Sequence, residues 1–511
     1  MSIGKGVYES RIKNSRRNIF SGLVKQLLSI GLQFAIRTII VYFLGSKYQG
    51  VNGLFTSILS VLNLSDLGFG AAVTYMLYKP IAEKNQVEIN SVLLYLKRVY
   101  CIIGIVVLSL GVLIMPLLPM LVSGEYPSDI NVYLLFLIYV IDVAISYFLF
   151  GYKNALLTAY QREDLVSNAY SISLVLSRGL QIVLLLVFRN YYAYAVILPL
   201  SSLANNLLVQ YYSNKYFSDS VPSGNISLNK KKELNKKVIA VFVNRASDVA
   251  RNSFDNIVLS AYFGLVTVAA YGNYFYIYSA IIGVMSIFAH GVKASVGNSI
   301  ELESVKKNHD NFKTFTFIFM WLAGWCSVCL FCLYQPFMNI WMRGESSLIL
   351  SYENMSLFCV YFYAMCMTYS KNTYLEAKGL YNECEKLYII EAIANLILNL
   401  VLGSMFGITG VLIATIFTIC IFNFWGGTRI LFMNYFVKGF SKYLITHLLY
   451  LVITVFVAIF TNIVCGMITS NGNMGFVIKS IICLVLPNLL YLLFYFRCNQ
   501  FKKTLIIIKS L

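Results

Sequence analysis

Apolar residues run in long unbroken blocks from Ile19 to Phe496, separated by short polar stretches. The blocks show neither the strict alternation of strands nor the one-sided stripe of surface helices. Each is about 20 residues or more, the length of helix that crosses a hydrocarbon core of roughly 30 Å. Lipid offers no partner to a bare peptide group, so each block must be a helix. A membrane barrel would instead show short alternating segments. Fourteen spans are predicted: Ile19–Leu44, Val51–Leu77, Val99–Val122, Val132–Phe150, Tyr170–Phe188, Tyr192–Tyr212, Val238–Phe263, Val268–Ala289, Phe312–Trp341, Ser356–Tyr374, Leu387–Met405, Thr409–Met433, Leu444–Ile468 and Phe476–Phe496. The chain therefore reads as an all-α polytopic membrane protein.

The longest central polar stretch, Ser213–Lys237, holds Pro222, Gly224 and the run Lys230, Lys231, Lys232, Lys236 and Lys237. It reads as a solvated linker between two halves. The first span of each half is followed by a similar glycine pattern. Gly45 and Gly53 after the first span match Gly264 and Gly272 after the seventh at a common offset. The expected organisation is an N-lobe of six helices (1–213), a basic cytoplasmic linker (214–237), a pseudo-symmetric C-lobe of six (238–435) and two additional helices (436–511).

Composition agrees with the pattern. Of 511 residues, 59% are hydrophobic and 12% charged, too little charge to cover a soluble surface of this size. The net charge of +18 does not point to nucleic acid here, because cytoplasmic loops of membrane proteins carry excess Lys and Arg. With fourteen spans, the basic loops and both termini fall on one side, and Lys47, Arg189 and Arg343 fall on the other. Both termini are therefore expected in the cytoplasm. The first block carries internal charge and lacks a small-residue cleavage site, so it is expected to stay as a span. The eleven cysteines suggest no disulfide framework. Cys326, Cys329 and Cys332 share one helix face with no neighbouring carboxylate or His, and read as packing groups with no metal.

The charges that break the apolar rule are costly and point to a cavity or a partner. At 100° per residue, Asn18, Gly22, Lys25, Gln26, Ser29, Gln33 and Arg37 fall in an arc of about 120° on the first span. Asn244, Arg245, Asp248, Arg251, Asn252 and Asp255 do the same on the seventh. Asp248, Arg251 and Asp255 are also spaced to neutralise one another, and Lys25 is close enough to the edge to snorkel; Arg37 has neither escape. Arg178 shares a face with Ser171 and Gln181. Asp66 lies among glycines, and Asp142 is in the fourth span. Glu391, Asn395 and Asn399 form a stripe on the eleventh, lining a cavity or bonding helix to helix. Lys479 lies near the outer edge, and His290, His309 and His447 are isolated.

No GxxxxGK[ST] loop, no DxD pair and no external loop large enough for a catalytic domain is present. Two repeated halves with polar stripes and no energy-supplying domain suggest a secondary transporter rather than an enzyme, with no cofactor. Excess cation within the spans favours an anionic substrate, because Arg offers phosphate oxygens a forked, always-charged donor.

The stretches Leu44-Gly-Ser-Lys-Tyr-Gln-Gly-Val-Asn-Gly-Leu-Phe55, Asp66-Leu-Gly-Phe-Gly70 and Leu77-Tyr-Lys-Pro80 resemble the N-terminal region of Wzx-type polysaccharide transporters. These are flippases of the multidrug/oligosaccharidyl-lipid/polysaccharide exporter superfamily. Asn252-Ser-Phe-Asp-Asn-Ile257 and Gly272-Asn-Tyr274 are similar to the second-half counterpart. The resemblance implies a V-shaped pair of six-helix bundles in a bacterial cytoplasmic membrane. It implies alternating-access transfer of undecaprenyl-pyrophosphate-linked oligosaccharide to the outer leaflet for capsule, O-unit or exopolysaccharide synthesis. Polymerase and glycosyltransferases would be partners, and nucleic acid would not. The residues expected to receive pyrophosphate and acidic sugar are Lys25, Arg37, Arg178, Arg245 and Arg251. Gln33, Asn252 and Asn395 would line the cavity. Asp66, Asp248, Asp255 and Glu391 would exchange H+ or Na+. Three rival functions are a peptidoglycan or teichoic-acid precursor flippase, a multidrug exporter of the same superfamily, and a membrane-embedded polymerase or ligase. The topology is tested by reporter fusions: cytoplasmic reporters at both termini and in 214–237 are expected to be active, and an active periplasmic-type reporter at any of them would invert the assignment.

Overall fold

The computed structural model describes residues 2–63, 69–468 and 472–510. Its helices are α1 (Ser2–Phe43), α2 (Ser46–Leu62), α3 (Phe69–Ala82), α4 (Gln86–Ile114), α5 (Val132–Phe148), α6 (Lys153–Ala159), α7 (Glu163–Phe188), α8 (Tyr191–Tyr216) and α9 (Leu228–Leu302). They continue as α10 (Val305–Trp341), α11 (Tyr352–Lys378), α12 (Tyr381–Phe406), α13 (Ile408–Thr418), a π-helical turn at Ile419–Gly426, α14 (Gly427–Leu431), α15 (Phe440–Gly466), α16 (Gly472–Tyr495) and α17 (Asn499–Ser510). No strand occurs among the described residues. Side-chain oxygens of Asn85, Asn131, Asn190, Ser304 and Ser351 accept from the first free N–H groups of α4, α5, α8, α10 and α11.

Ten helical stretches among the described residues are long and apolar enough to cross a membrane. The pair α5 and α6, bent by 54°, makes eleven. The sequence predicts fourteen, and the difference has three sources. The second predicted span falls on α2 and α3, whose junction, including Asp66, lies outside the described residues. The seventh and eighth both fall within α9, on either side of its non-helical residue Gly264, and are counted as one stretch. The tenth falls on α11, whose Tyr, Ser, Thr, Asn and Lys residues make it too polar to count by apolarity.

The glycine echo is an echo of backbone geometry. Gly45, between α1 and α2, has φ 108° and ψ 170°, and Gly264, inside α9, has φ 77° and ψ −178°. Positive φ with extended ψ is a region that essentially only glycine enters. Gly264 is thus the break between the predicted seventh and eighth spans, and a Cβ there would also meet the Ser123 carbonyl oxygen at 2.4 Å.

The chain forms two compact units, 1–268 and 269–511. The boundary falls inside α9 rather than in the basic linker, because residues of α9 just before it, Leu265 and Ser260 among them, pack into unit 1. Leu265 lies in the core with Val51, Phe55, Phe136 and Tyr139, and Ser123 donates its N–H to the Ser260 carbonyl at 2.9 Å. The linker is shorter than expected, since α9 already begins at Leu228. Gln86 Nε2 ties it to α4, donating to the Asp219 carbonyl at 2.9 Å.

Unit 2 is centred on α10, against which α11, α15, α16 and α17 pack. The two C-terminal helices are therefore not appendages. Trp321 Nε1 donates to Asn488 Oδ1 and Trp325 Nε1 to the Cys483 carbonyl, both at 2.9 Å. Phe312, Tyr374, Phe432, Phe436 and Tyr443 form an aromatic core beside them. The terminal helix α17 is a further element that the apolar pattern does not reveal.

Close helix approach in unit 1 depends on Gly50, whose added Cβ would lie 2.0 Å from the Leu265 carbonyl oxygen. Gly50→Ala is expected to destabilise the protein by about 1–3 kcal/mol through overpacking. Gly31→Ala, where nothing lies within 4 Å, is expected to be neutral or stabilising by up to about 1 kcal/mol. Thermal unfolding in detergent checks the pair; equal midpoints would refute the close approach.

Candidate functional site

Unit 1 holds two adjoining chambers of about 310 and 210 Å³ with mixed polar and apolar linings. Asp142 of α5 and Arg178 of α7 border both. The larger is lined also by Gln33 of α1, Asn52 and Thr56 of α2, Tyr139 of α5 and Tyr194 of α8. The smaller is lined by Tyr170, Ser173, Ser177 and Gln181 of α7 with Ser201, Ser202 and Asn205 of α8. Helical spacing explains the wall: residues 170, 173, 174, 177, 178 and 181 recur at i+3 and i+4 along one face of α7.

The wall is fixed by its own hydrogen bonds. Arg178 Nη1 donates to Gln181 Oε1 at 2.8 Å, and Gln181 Nε2 donates to the Tyr194 carbonyl at 3.1 Å. Ser202 Oγ donates to Asp142 Oδ1 at 2.6 Å. Tyr139 donates to Asn52 Oδ1 at 2.8 Å. A guanidinium, a carboxylate, hydroxyls, amides and phenol rings therefore share one cavity. Such a surface suits a polar, hydroxyl-rich ligand that carries charge.

The predicted residues separate into groups. Gln33 and Arg178 line the chambers. Lys25, half-buried, sits over the ring of Tyr170 at 4.9 Å and so lies beside the smaller chamber. Arg37 is half-buried one turn beyond Gln33 and lines neither chamber. Asp255 is fully buried in α9, where its neighbour Asn256 donates to Ser57 Oγ of α2 at 2.9 Å. Asp66 and the side chains of Arg245, Asp248, Arg251 and Asn252 lie outside the described residues. Asp142, placed by the sequence only in the fourth span, is the cavity's acidic group.

Glu391, Asn395 and Asn399 do not line a chamber of unit 1; they lie inside unit 2, between 0% and 2% exposed. Of the two readings open from sequence, the structure gives helix-to-helix bonding. Asn395 Nδ2 donates to Thr415 and Thr418 of α13 at 3.2 and 3.3 Å. Glu391 accepts from Asn423 of the π-helical turn at 3.2 Å. Lys371 is not among the sequence-predicted residues. It is 0% exposed, and its Nζ donates to Asn423 Oδ1 at 2.8 Å and to Asn372 Oδ1 at 2.5 Å. Its place within the predicted span Ser356–Tyr374 was the signal that could have found it.

One thiol of the CxxCxxC meets cysteines of two other helices. The sulfurs of Cys332, Cys465 and Cys483, from α10, α15 and α16, lie within 4.8 Å of one another. Sequence spacing cannot show that three helices bring these thiols together.

The model of a family described as polysaccharide biosynthesis protein matches residues 15–293, more than half of the chain. The chain belongs to the polysaccharide biosynthesis protein family. This is the family of the Wzx-like flippases. No curated protein sequence matches the chain. Among solved structures, it is similar to an inward-facing multidrug resistance MATE family transporter of the MOP superfamily, with TM-score 0.63 and 15% identity over 79% of this chain and 94% of that one. It is also similar to the lipid II flippase MurJ in an inward closed conformation, with TM-score 0.62 and 16% identity over 95% of this chain and 99% of that one. A eukaryotic MATE transporter gives 0.60 at 13% identity over 84% and 98%. At such identities the likeness carries the fold alone. Family and fold together make this polysaccharide biosynthesis protein a multipass membrane transporter of the flippase or exporter kind.

In this family member, Gln181 is the post that holds Arg178. Gln181→Leu would leave the buried Tyr194 carbonyl without that donor. It is expected to cost about 1–3 kcal/mol, read as a lowered unfolding midpoint; an unchanged midpoint would mean that other groups hold the wall.

Proposed function

We propose that the chain is a flippase that carries undecaprenyl-pyrophosphate-linked oligosaccharide repeat units from the cytoplasmic to the outer leaflet, by ion-coupled alternating access. The observation that carries the reading is Arg178, a permanent cation held on the wall of a hydroxyl- and amide-lined chamber within helices that cross the membrane. Arg meets phosphate oxygens with two parallel N–H donors. Ser173, Ser177, Ser201, Ser202 and Asn205 offer the donors and acceptors that sugar hydroxyls need, and Tyr170 offers an aromatic face. Lys25 stands beside the same chamber as a second cation. Membership of the polysaccharide biosynthesis family supports the sugar, and the intramembrane cation supports the linked phosphate.

Asp142 in the same cavity gives the rival its test. A drug exporter for organic cations would depend on the carboxylate, whereas a carrier of anions depends on the guanidinium. Arg178→Ala is expected to lower polymer export about tenfold to a hundredfold at unchanged abundance, because a hydrogen bond to a charged group contributes about 1.5–3 kcal/mol. Asp142→Asn is expected to lower it less. The reverse order would overturn the anion reading. Purified protein in vesicles is expected to move the lipid-linked sugar between leaflets without lengthening it; chain growth would instead mark a polymerase.

A further inference from the structure

The thiols of unit 2 have no part in the chamber around Arg178. Cys332 of α10, Cys465 of α15 and Cys483 of α16 are 4%, 2% and 0% exposed, and their sulfurs lie within 4.8 Å of one another. Cys465 Sγ and Cys483 Sγ are 3.9 Å apart. A disulfide needs about 2.05 Å, so the three stand as separate thiols. Around one metal ion, at a metal–sulfur distance of about 2.3 Å, three sulfurs in a plane stand about 4.0 Å apart. The triangle is of the size that a single ion fills.

The ligands are held by their surroundings. Trp325, Cys329 and Cys332 lie along one stripe of α10, at i, i+4 and i+7. Trp325 Nε1 and Cys329 Sγ both donate to the Cys483 carbonyl, at 2.9 and 3.5 Å, which sets the height of Cys483 against α10. Outer partners of this kind orient metal ligands. Thr461, one turn before Cys465 on α15, is 0% exposed, and its hydroxyl has no hydrogen-bond partner among the described residues. A buried hydroxyl without an acceptor is costly, and a thiolate at Cys465 would offer it one. Lys479, one turn before Cys483 on α16, is close enough to Cys465 to act on it electrostatically. Neutral thiols packed as apolar groups need no counter-charge, whereas buried thiolates do.

We propose that Cys332, Cys465 and Cys483 form a trigonal thiolate site for Cu(I), which clamps α15 and α16 onto α10. All three donors are sulfur, the soft ligand that selects Cu(I) and Zn2+. Zn2+ takes a fourth ligand, and Cys329, the next thiol on the stripe, is turned to the Cys483 carbonyl instead. Three sulfurs without a fourth favour Cu(I). On binding, each thiol that ligates exchanges its S–H bond for an S–Cu bond and gives its proton to water. Copper enters and stays as Cu(I), so no electron moves. The site belongs to the packing of unit 2 and is independent of the substrate carried.

The full chain, purified in detergent without oxygen, is titrated with Cu(I) against a chromophoric Cu(I) chelator. One tightly held Cu(I) per chain is expected, with three sulfur neighbours by X-ray absorption. The thermal unfolding midpoint is expected to rise with Cu(I), because the ion binds the folded triangle. Cys483→Ser is expected to lose both the ion and the rise. Cys329→Ser and Cys420→Ser, which remove thiols outside the triangle, are expected to keep both. No tightly held Cu(I), binding that survives Cys483→Ser, or a preference for Zn2+ that depends on Cys329, would overturn the proposal. If Cys483→Ser does not fold, Cys465→Ala removes a ligand without burying a hydroxyl and is expected to show the same loss; retained binding there would overturn the site equally.

Discussion

Hydrocarbon cannot accept or donate a hydrogen bond, and every level of this structure answers to that constraint. It makes each membrane-crossing segment a helix, so that peptide groups are satisfied within the segment. It then applies to side chains. A polar group within the spans must find a protein partner or line a space that admits water. The hydrogen-bonded walls around Arg178 and the buried array around Lys371 are the two solutions, one open and one closed.

The two units apply the constraint differently. In unit 1, polar residues of α7 and α8 face each other across a cavity, and their mutual bonds hold them in place while leaving groups turned to the space. In unit 2, α10 packs against α11, α15 and α16, and polar residues of α12 and α13 are drawn into direct helix-to-helix bonds such as Asn395 to Thr415. Buried carboxylate, amide and ammonium are then close enough to act as one unit.

Glycine supplies the remaining freedom. At Gly45 and Gly264 the chain enters a backbone region closed to other residues, and each follows the first span of its half. At Gly50 and Gly427 the missing Cβ admits a neighbouring carbonyl and an ammonium. These positions fix where helices bend and how near they come, which apolar content by itself leaves open.

The sequence by itself determined the helical membrane fold, most span positions, the break near Gly264 and the presence of intramembrane charge, because these follow from local composition and from the cost of polar groups in lipid. It also singled out Arg178 and Glu391, since a charge in an apolar run is visible without knowing its neighbours. The neighbours were another matter. That Asp142 shares Arg178's cavity, that Cys332 meets Cys465 and Cys483, and that Lys371 is enclosed by Asn423 and Gly427 depend on which faces of distant helices meet. A helical residue's partner in space is chosen by packing between segments far apart in the chain. Hydropathy is summed along one segment, so it cannot tell a lysine at a membrane edge from one enclosed by three helices. Tertiary structure alone made that distinction.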